Sequence, residues 1–393
     1  MYIERRLTPL LQKAAKQFPV ISLTGPRQSG KTTLVKKTFP HMAYVSFEDP
    51  DTRAYAMHDP RGFFATYANG VIIDEVQRIP DIFSYIQGIV DLHKKPGEFI
   101  LTGSQNFLLL ESITQSLAGR AAIYTLLPLS IAELSLRQEE GYMNYLYKGM
   151  FPRLYDSSIE PHEWYANYIA TYVERDVRLI KNITDLHVFQ QFLKICAGRT
   201  GQLLNLSSIA NDCGITHNTA KAWLSVLEAS HLVYLLRPSH KNFRKRLIKM
   251  PKLYVIDPGL LCSLLEIRHV SHLETHPLRG SLFESFIISE FLKYYLNQGL
   301  RPPLSFWRDK TGHEIDCIIE ADKERYAIEI KAAQTITDKF FAQLEYFSHL
   351  SKHEQYKNAI VYGGDQHQQR AQGEVVPWTQ ATKLFKTDFF PNT

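Results

Sequence analysis

The sequence contains no apolar run long enough to cross a membrane. Its longest apolar stretches, such as residues 71–73 and 108–110, fall far below the roughly 20 residues that span a bilayer. The first residues also show no apolar segment followed by small residues, so the sequence predicts no secretory signal. We therefore expect a cytoplasmic protein that has no membrane partner.

Cysteine is scarce, and its spacing argues against two kinds of site. The four cysteines are widely separated and form no Cys-x-x-Cys pair, which is the usual basis of a zinc clamp or a redox couple. They are Cys196, Cys213, Cys262 and Cys317. We expect ordinary buried thiols. Internal repeats and long low-complexity segments are also absent from the sequence.

The composition is that of a soluble protein with more than one domain. With 393 residues, 45% of them hydrophobic and 22% charged, the chain can bury two or three separate cores. The formal charge of +5 is mildly basic, which permits nucleic-acid binding without requiring it. The local clustering of charge is therefore more informative than its total.

A nucleotide site is predicted near the N-terminus. An apolar run at residues 18–24 is followed by the octet GPRQSGKT at residues 25–32 and then by a helix-like segment. The octet fits the pattern Gly-x-x-x-x-Gly-Lys-Ser/Thr, whose backbone amides point at phosphates. Lys31 is expected to reach the β and γ phosphates, and Thr32 the magnesium ion. The candidate nucleotide contacts are Gly25, Pro26, Arg27, Gln28, Ser29, Gly30, Lys31, Thr32 and Thr33. The alternative is a glycine-rich turn that binds nothing, which the flanking strand and helix disfavour.

Two further strands end in polar residues that can complete this site. Residues 70–75 (GVIIDE) form an apolar strand ending in two carboxylates, the Walker B pattern. Asp74 is predicted to hold magnesium and Glu75 to act as the general base. The strand at residues 98–103 ends in Ser104, Gln105 and Asn106, one of which can orient the attacking water. With runs at 43–47 and 122–127, five strands interleaved with helices predict a parallel sheet.

Four segments, LTGPRQSGKTTL, VIIDEVQRIPD, ILTGSQ and LAGRAAIYTLLPLS, resemble those of AAA-type P-loop ATPases that carry a C-terminal domain of uncharacterised function. The resemblance implies binding and hydrolysis of ATP with Mg²⁺, with Ser104 as a sensor residue. It also places Arg120 where an arginine can contact the γ phosphate, in the same or a neighbouring subunit. The resemblance further implies homo-oligomers, hexamers among them. The alternative for Arg120 is a helix cap or a pairing with a carboxylate.

The middle of the chain has the spacing of a winged helix. Residues 205–215 and 216–228 read as two helices separated by a turn at Gly214, and strands at 232–236 and 253–256 follow. The candidate DNA contacts on the second helix are Thr216, Asn218 and Lys221. Between the strands lies a basic wing without any acidic residue, formed by Lys241, Arg244, Lys245, Arg246, Lys249 and Lys252. The alternative is a helical lid on the ATPase whose basic residues are solvated or paired.

Carboxylates converge in the C-terminal part of the sequence. Asp316 lies in one predicted strand, and Glu329 and Lys331 share one face of the next because strand side chains alternate. With Glu284 on a helix at 281–295, this set resembles the PD-(D/E)xK nuclease fold. The resemblance implies that Asp316 and Glu329 bind Mg²⁺ and that Lys331 stabilises developing charge. The alternatives are a domain that binds nucleic acid without cutting it, or one that packs against the motor.

These patterns predict an α/β protein: an AAA-type P-loop parallel sheet, then a winged-helix region, then a PD-(D/E)xK nuclease-like α/β domain. The expected boundaries are 1–136, 137–270 and 271–393. The favoured function is a Mg²⁺-dependent ATPase that acts on DNA through its last two domains. The alternatives are a nucleotide-dependent switch that recruits proteins with an inert nuclease-like domain, and an ATP-gated DNA nuclease.

Overall fold

A computed structural model of the chain describes residues 2–104, 113, 116–134, 141–173, 185–239, 248–321, 324–352 and 354–385. Among these residues, none of the helices combines the length and the apolar character that a bilayer crossing requires.

The N-terminal region is built on a five-stranded parallel sheet. Its strands are β1 (Val20–Thr24), β2 (Ala43–Ser46), β3 (Val71–Asp74), β4 (Phe99–Thr102) and β5 (Ala121–Thr125). Their order in the sheet is β2-β3-β4-β1-β5, and every pairing is parallel. The three central strands are buried along their whole length, as expected of parallel strands covered on both faces. The predicted parallel sheet is therefore confirmed.

Helices cover both faces of this sheet. They are α1 (Thr8–Ala14), α2 (Lys31–Thr38), α3 (Pro50–His58), α4 (Pro60–Thr66) and α5 (Ile82–His93). Short 3₁₀ helices lie at Val76–Arg78 and Ile131–Glu133. Two separate apolar clusters result, one on each face of the sheet. All five strands share one direction, so the loops after β1, β3 and β4 meet at one edge.

The middle region combines helices with a small antiparallel sheet. Its helices are α6 (Tyr142–Lys148), α7 (Arg153–Asp156), α8 (Pro161–Tyr168, continued by a π-helix at Ile169–Val173), α9 (Leu186–Gly198), α10 (Leu206–Asp212), α11 (His217–Ala229), α12 (Pro258–Leu264) and α13 (His272–Thr275). Its strands are β6 (Gln202–Leu203), β7 (Val233–Leu236) and β8 (Lys252–Val255), in the order β6-β8-β7. Gly214 makes the turn between α10 and α11 with a positive φ of 66°, a conformation that glycine adopts without strain.

The C-terminal region is a mixed six-stranded sheet packed against a long helix, α14 (Arg279–Leu296). The strands are β9 (Leu304–Arg308), β10 (Glu314–Ala321), β11 (Glu324–Lys331), β12 (Lys357–Tyr362), β13 (Gln368–Arg370) and β14 (Gly373–Pro377). Their order is β13-β14-β12-β11-β10-β9. Helix α15 (Ala342–Leu350) and 3₁₀ helices at Asp338–Phe341 and Trp378–Leu384 complete this part.

The middle and C-terminal regions share one hydrophobic core. A single cluster of buried apolar residues extends from Leu127 to Phe385 and includes members of both regions. A backbone bridge between Pro238 and Phe306 also joins the end of β7 to β9. The boundary expected at residue 270 stays a prediction, and the regions on its two sides share buried apolar contacts.

Candidate functional sites

Glycines shape the loop that follows β1. Gly25 has a φ of 142°, and a Cβ at this position would lie 2.1 Å from the carbonyl oxygen of Leu126. Gly30, with a φ of 94°, is the residue from which helix α2 begins. Gln28 is also left-handed, with a φ of 59°. These conformations produce the curled backbone that a P-loop needs to direct its amides toward phosphates.

The Lys31 side chain is folded back onto this loop. Its ammonium donates hydrogen bonds to the carbonyl oxygens of Gly25 and Pro26, both at 2.9 Å, and the residue is only 6% exposed. Burial lowers the pKa of Lys31 to about 8, although the charges of Glu75 and Asp74 act in the opposite direction. Because both lysine contacts are with the loop itself, phosphate oxygens can replace them without disturbing another element.

Thr32 and Asp74 face each other across the end of the sheet. The Thr32 hydroxyl donates to Asp74 Oδ2 at 2.7 Å, and the Tyr44 hydroxyl donates to the same oxygen at 3.0 Å. Thr102 donates to the other carboxylate oxygen. Burial and the adjacent Asp74 charge raise the pKa of Tyr44 to about 12, so Tyr44 remains a donor. A hydroxyl and a carboxylate at this separation fit Mg²⁺, which prefers oxygen ligands.

Glu75 is held by two hydrogen bonds beside this pair. Its carboxylate accepts from Gln77 Nε2 at 2.6 Å and from the Ser104 hydroxyl at 3.1 Å. Ser104 in turn accepts from Arg27 Nε at 3.4 Å. Burial raises the pKa of Glu75, which moves the carboxylate toward the range in which a general base works well. Its φ of 53° is a strained backbone conformation of the kind that clusters at functional sites.

Eight of the predicted residues line one open pocket of about 630 Å³: Arg27, Gln28, Gly30, Lys31, Thr32, Thr33, Asp74 and Glu75. The sequence analysis missed the residues that the pocket takes from outside the P-loop and strand ends, among them Arg5, Pro152, Arg153 and Asp156. Arg153 and Asp156 are the first and last residues of helix α7 in the middle region. The pocket therefore lies between the parallel sheet and the middle region, and no local motif could have indicated these residues.

Arg5 connects the P-loop to the segment that follows β5. Its guanidinium donates to the carbonyl oxygens of Ser29 and Leu127, both at 2.7 Å, and pairs with Glu133 at 3.0 Å. The Arg5 and Glu133 side chains are 4% and 0% exposed. Burial acts to raise the pKa of Glu133, but the Arg5 charge and the hydrogen bonds from Arg5 and from the Ser130 and Arg6 amides together outweigh it, and the pKa is lowered. This buried pair fixes the end of β5 against the nucleotide loop.

Arg120 does not lie in the pocket of its own chain. It immediately precedes β5, and its carbonyl oxygen accepts from the amide of Val20 at the start of β1. The P-loop follows the other end of β1, roughly 15 Å away at the usual strand rise. Arg120 instead pairs with Asp91 on the surface through two contacts of 2.5 and 2.9 Å. Of the roles considered for Arg120, a catalytic one within the same subunit is thus contradicted, and pairing with a carboxylate is what the structure contains.

The predicted DNA contacts fall into two groups. Thr216, Asn218 and Lys221 are exposed at the start of α11, and the Thr216 hydroxyl caps that helix by accepting from the Thr219 amide at 3.1 Å. The other candidate DNA contacts lie outside the described residues; they are Lys241, Arg244, Lys245 and Arg246. Gln105 and Asn106, the polar residues after β4 that were predicted for the nucleotide site, also lie outside the described residues.

Lys252 is not part of an exposed basic wing. The residue is 2% exposed, and its ammonium lies 2.9 Å from Glu284 Oε1 and in contact with Glu314 Oε1. Burial alone would lower the pKa of Lys252, but the carboxylates of Glu284, Asp316 and Glu314 raise it. The sequence places Lys252 in a basic run and so predicts an exposed side chain. Its burial depends instead on carboxylates that lie far away in the chain.

The structure brings the predicted C-terminal set together. Asp316 Oδ2 accepts from the Ile330 amide at 2.9 Å and from Lys331 Nζ at 3.2 Å, and the same ammonium contacts Glu329. Glu284 Oε1 and Asp316 Oδ1 lie 2.9 and 3.9 Å from the Lys252 ammonium. Burial and the Asp316 charge raise the pKa of Glu329 to about 8. Within the described ranges, no group of three or more His, Cys, Asp or Glu side chains is arranged to hold a metal ion.

Three family models match successive parts of the sequence. Residues 17–135 match an AAA domain, residues 139–271 match a domain of unknown function (DUF8612), and residues 279–381 match a second domain of unknown function (DUF4143). The chain therefore carries an AAA-type ATPase domain followed by uncharacterised regions.

Two curated relatives resemble most of the chain. The uncharacterized protein Rv2008c of Mycobacterium tuberculosis is 31% identical over 341 residues, which cover 85% of this chain and 75% of the relative. This chain belongs to the Rv2008c family. The uncharacterized protein Mb2031c of Mycobacterium bovis matches to the same extent. Both relatives are uncharacterized proteins, so the Rv2008c family assignment adds no function to that of the AAA domain.

Three solved structures match parts of this member of the Rv2008c family at low identity and with TM-scores below 0.5. The Walker-type ATPase PABY2304 of Pyrococcus abyssi is 13% identical and covers 67% of this chain and 96% of its own, with a TM-score of 0.38. AMPPCP-bound DnaA from Aquifex aeolicus is 15% identical, covering 56% of this chain and 85% of its own, with a TM-score of 0.30. The Thermotoga maritima RuvB Holliday junction branch migration motor is 18% identical, covering 60% of this chain and 91% of its own, with a TM-score of 0.29.

Proposed function

We propose that this protein is a Mg²⁺-dependent ATPase that acts on DNA through its middle and C-terminal regions. The observation that carries the ATPase part is the group at the ends of β1, β3 and β4. There the P-loop, the hydrogen-bonded pair of Thr32 and Asp74, and the buried carboxylate of Glu75 lie together in one pocket. Each residue type has the chemistry that ATP hydrolysis requires.

The division of labour follows from these positions. Lys31 exchanges its two carbonyl partners for phosphate oxygens, and its ammonium then offsets charge that develops on the γ phosphate. Thr32 and Asp74 are the residues that would hold Mg²⁺, which when bound neutralises charge on the β and γ phosphates. Glu75 takes the proton from the attacking water, and the hydrogen bonds from Gln77 and Ser104 orient its carboxylate.

The middle region supports the DNA part of the proposal. Strand β6, helix α10, the turn at Gly214, helix α11 and strands β7 and β8 follow one another in the order of a winged helix, and the strands form the β6-β8-β7 sheet. In such a module the start of the second helix enters the major groove, and Asn218 and Lys221 are exposed there. The basic residues between β7 and β8 add the charge that attracts phosphates.

Oligomer formation is part of the same proposal. Arg120 is half-exposed and lies away from the pocket of its own chain, so any contact with a γ phosphate has to be made in a neighbouring subunit. A ring of subunits, such as a hexamer, supplies that geometry. Light scattering with ATP bound tests it, and a protein that remains monomeric under those conditions contradicts this part.

Turnover measured with and without DNA tests the function. ATP hydrolysis is followed alone and with single-stranded, duplex and branched DNA, and a gel of the same reactions reports strand cleavage. We expect stimulation by DNA, loss of nucleotide binding in Lys31→Ala, and retained binding with roughly 100- to 10,000-fold slower turnover in Glu75→Gln. Normal turnover in both variants would refute the assigned site.

A nucleotide-dependent switch that recruits proteins is the second candidate. One observation favours it: each of Glu284, Asp316 and Glu329 already has a lysine partner within the protein, as expected of an inert domain. A slow ATPase rate that none of the DNA substrates changes would select this candidate. The ATP-gated nuclease instead requires Mg²⁺-dependent strand loss that Asp316→Ala abolishes.

A further inference from the structure

Lys252 lies at the junction between the middle region and the C-terminal sheet. It is the first residue of β8, and the connection that leads from β7 to β8 is hydrogen-bonded to β9 near both of its ends. The Ser239 amide donates to the Phe306 carbonyl at 2.6 Å, and the Ile248 amide donates to the Arg308 carbonyl at 3.2 Å. These connections fix β8 against the sheet and direct the Lys252 side chain toward the carboxylates of β10 and α14.

The ammonium of Lys252 lies among three carboxylates. It is 2.9 Å from Glu284 Oε1, in contact with Glu314 Oε1 and 3.9 Å from Asp316 Oδ1. Tyr254, two residues further along β8, donates to the same oxygen of Glu284 at 2.5 Å. Strand β8 of the middle region therefore supplies both a cation and a hydroxyl donor to a carboxylate on the C-terminal helix.

The other carboxylate contacts in this cluster are also with cations of the protein. Lys331 bridges Asp316 and Glu329, and Arg308 donates to Glu314 Oε2 at 2.7 Å. Each of the four carboxylates thus has at least one positively charged partner. Lys252, Lys331 and Arg308 together offset most of the negative charge of the four carboxylates.

This arrangement does not fit a divalent metal ion. Mg²⁺ requires near-octahedral oxygen ligands at about 2.0–2.1 Å. The volume between Glu284, Glu314 and Asp316 is taken by the Lys252 ammonium, and a dication close to that group would be repelled by it. The carboxylates of the nuclease-like set lie together, but the ammonium of Lys252, from strand β8 of the middle region, occupies the space between them.

We propose that Lys252 is a built-in cation that takes the place of a divalent metal ion in the C-terminal carboxylate cluster. While β8 is docked, the cluster cannot bind Mg²⁺ and cannot support metal-dependent cleavage. Its role is to join the middle region to the C-terminal domain through a buried ionic contact. Such contacts depend on both partners, because a buried charge left without its counter-charge strongly destabilises the folded state. This inference depends on neither ATP hydrolysis nor DNA binding.

Mn²⁺ binding to the full-length, nucleotide-free protein tests the proposal directly. Free Mn²⁺ is followed by electron paramagnetic resonance during a titration, with folding checked by circular dichroism. The wild-type protein should show no saturable site tighter than about 1 mM, the weak end of protein Ca²⁺ sites. Lys252→Met should gain one site per chain, and Lys252→Met/Asp316→Asn should lose it again.

Matched controls separate this effect from a general loss of positive charge. Lys249→Met removes an exposed lysine three residues earlier and should gain no Mn²⁺ site. The charge-balanced variant Lys252→Met/Glu284→Gln removes one carboxylate together with the lysine. It replaces Lys252→Met in the titration if Lys252→Met does not fold. A wild-type site that Asp316→Asn abolishes overturns the proposal, and the wild-type titration needs no variant to fold. A folded Lys252→Met that gains no site overturns it as well.

Discussion

Replacing Arg5 by methionine tests how the P-loop is held in place. The substitution keeps most of the side-chain volume but removes the donors to Ser29 and Leu127 and the partner of Glu133. Breaking a buried ion pair from one side typically costs about 3–5 kcal/mol. Glu133 keeps hydrogen bonds from the amides of Arg6 and Ser130, so we expect the lower end, about 3 kcal/mol.

Thermal unfolding followed by circular dichroism measures this loss. A destabilisation of this size should lower the transition of the N-terminal domain by on the order of 10 °C. ATP affinity, measured with a fluorescent analogue, should also weaken because Ser29 belongs to the loop that faces the phosphates. Both changes are expected together, since one guanidinium fixes the loop and the end of β5.

Arg6→Met is the matched control, because Arg6 is adjacent and its side chain is exposed. It should leave the unfolding temperature and ATP affinity close to those of the wild type. In Arg5→Met/Glu133→Gln the buried carboxylate is neutralised, so the double variant should lose less stability than the two single losses added together. If Arg5→Met melts at the same temperature as Arg6→Met, the role assigned to Arg5 is wrong.

Three further results follow from the nucleotide and DNA sites. ATP affinity should be constant below pH 8 and weaken by at most about tenfold per pH unit above it. The reason is that Lys31, with its pKa lowered to about 8, must be protonated to bind phosphate. A pH series of binding titrations checks this, and Lys31→Arg should remove the pH dependence. Gly25→Ala should abolish nucleotide binding, because its Cβ would lie 2.1 Å from the Leu126 carbonyl oxygen, whereas Gly88→Ala, with no neighbour within 4 Å, should bind normally. If α11 contacts DNA phosphates, Lys221→Ala should reduce the salt dependence of duplex binding by about one unit of slope, and an unchanged slope argues against that contact.

The nucleotide site was predictable because its determinants are local. The octet at residues 25–32 fixes Lys31 and Thr32 at the start of a helix, and the strand before Asp74 and Glu75 is apolar throughout. Parallel strands place their C-terminal ends at one edge, so strand order was not needed to bring these residues together. Ser104 follows the same rule at the end of β4 and reaches Glu75.

The residues that sequence reasoning missed or misplaced depend on distant partners. Arg5 and Glu133 are far apart in the chain, and no spacing rule links them. Lys252 appeared to belong to a basic run, but the pairing of Pro238 with Phe306 buries its surroundings. Arg120 was placed by resemblance, although its position before rather than after a strand already puts it at the opposite edge of the sheet.

Helix α14 carries partners for two separate parts of the chain. Glu290 accepts from the Ile131 amide at 2.7 Å, and Lys293 donates to the Leu129 carbonyl at 2.9 Å, while Glu284 holds Lys252 about 9 Å further along the same axis. An ATPase fragment that stops at residue 135 therefore exposes backbone groups that the intact protein satisfies with this helix. A truncated ATPase fragment will therefore be less stable than the family boundaries suggest, and the three segments are better studied in the intact chain.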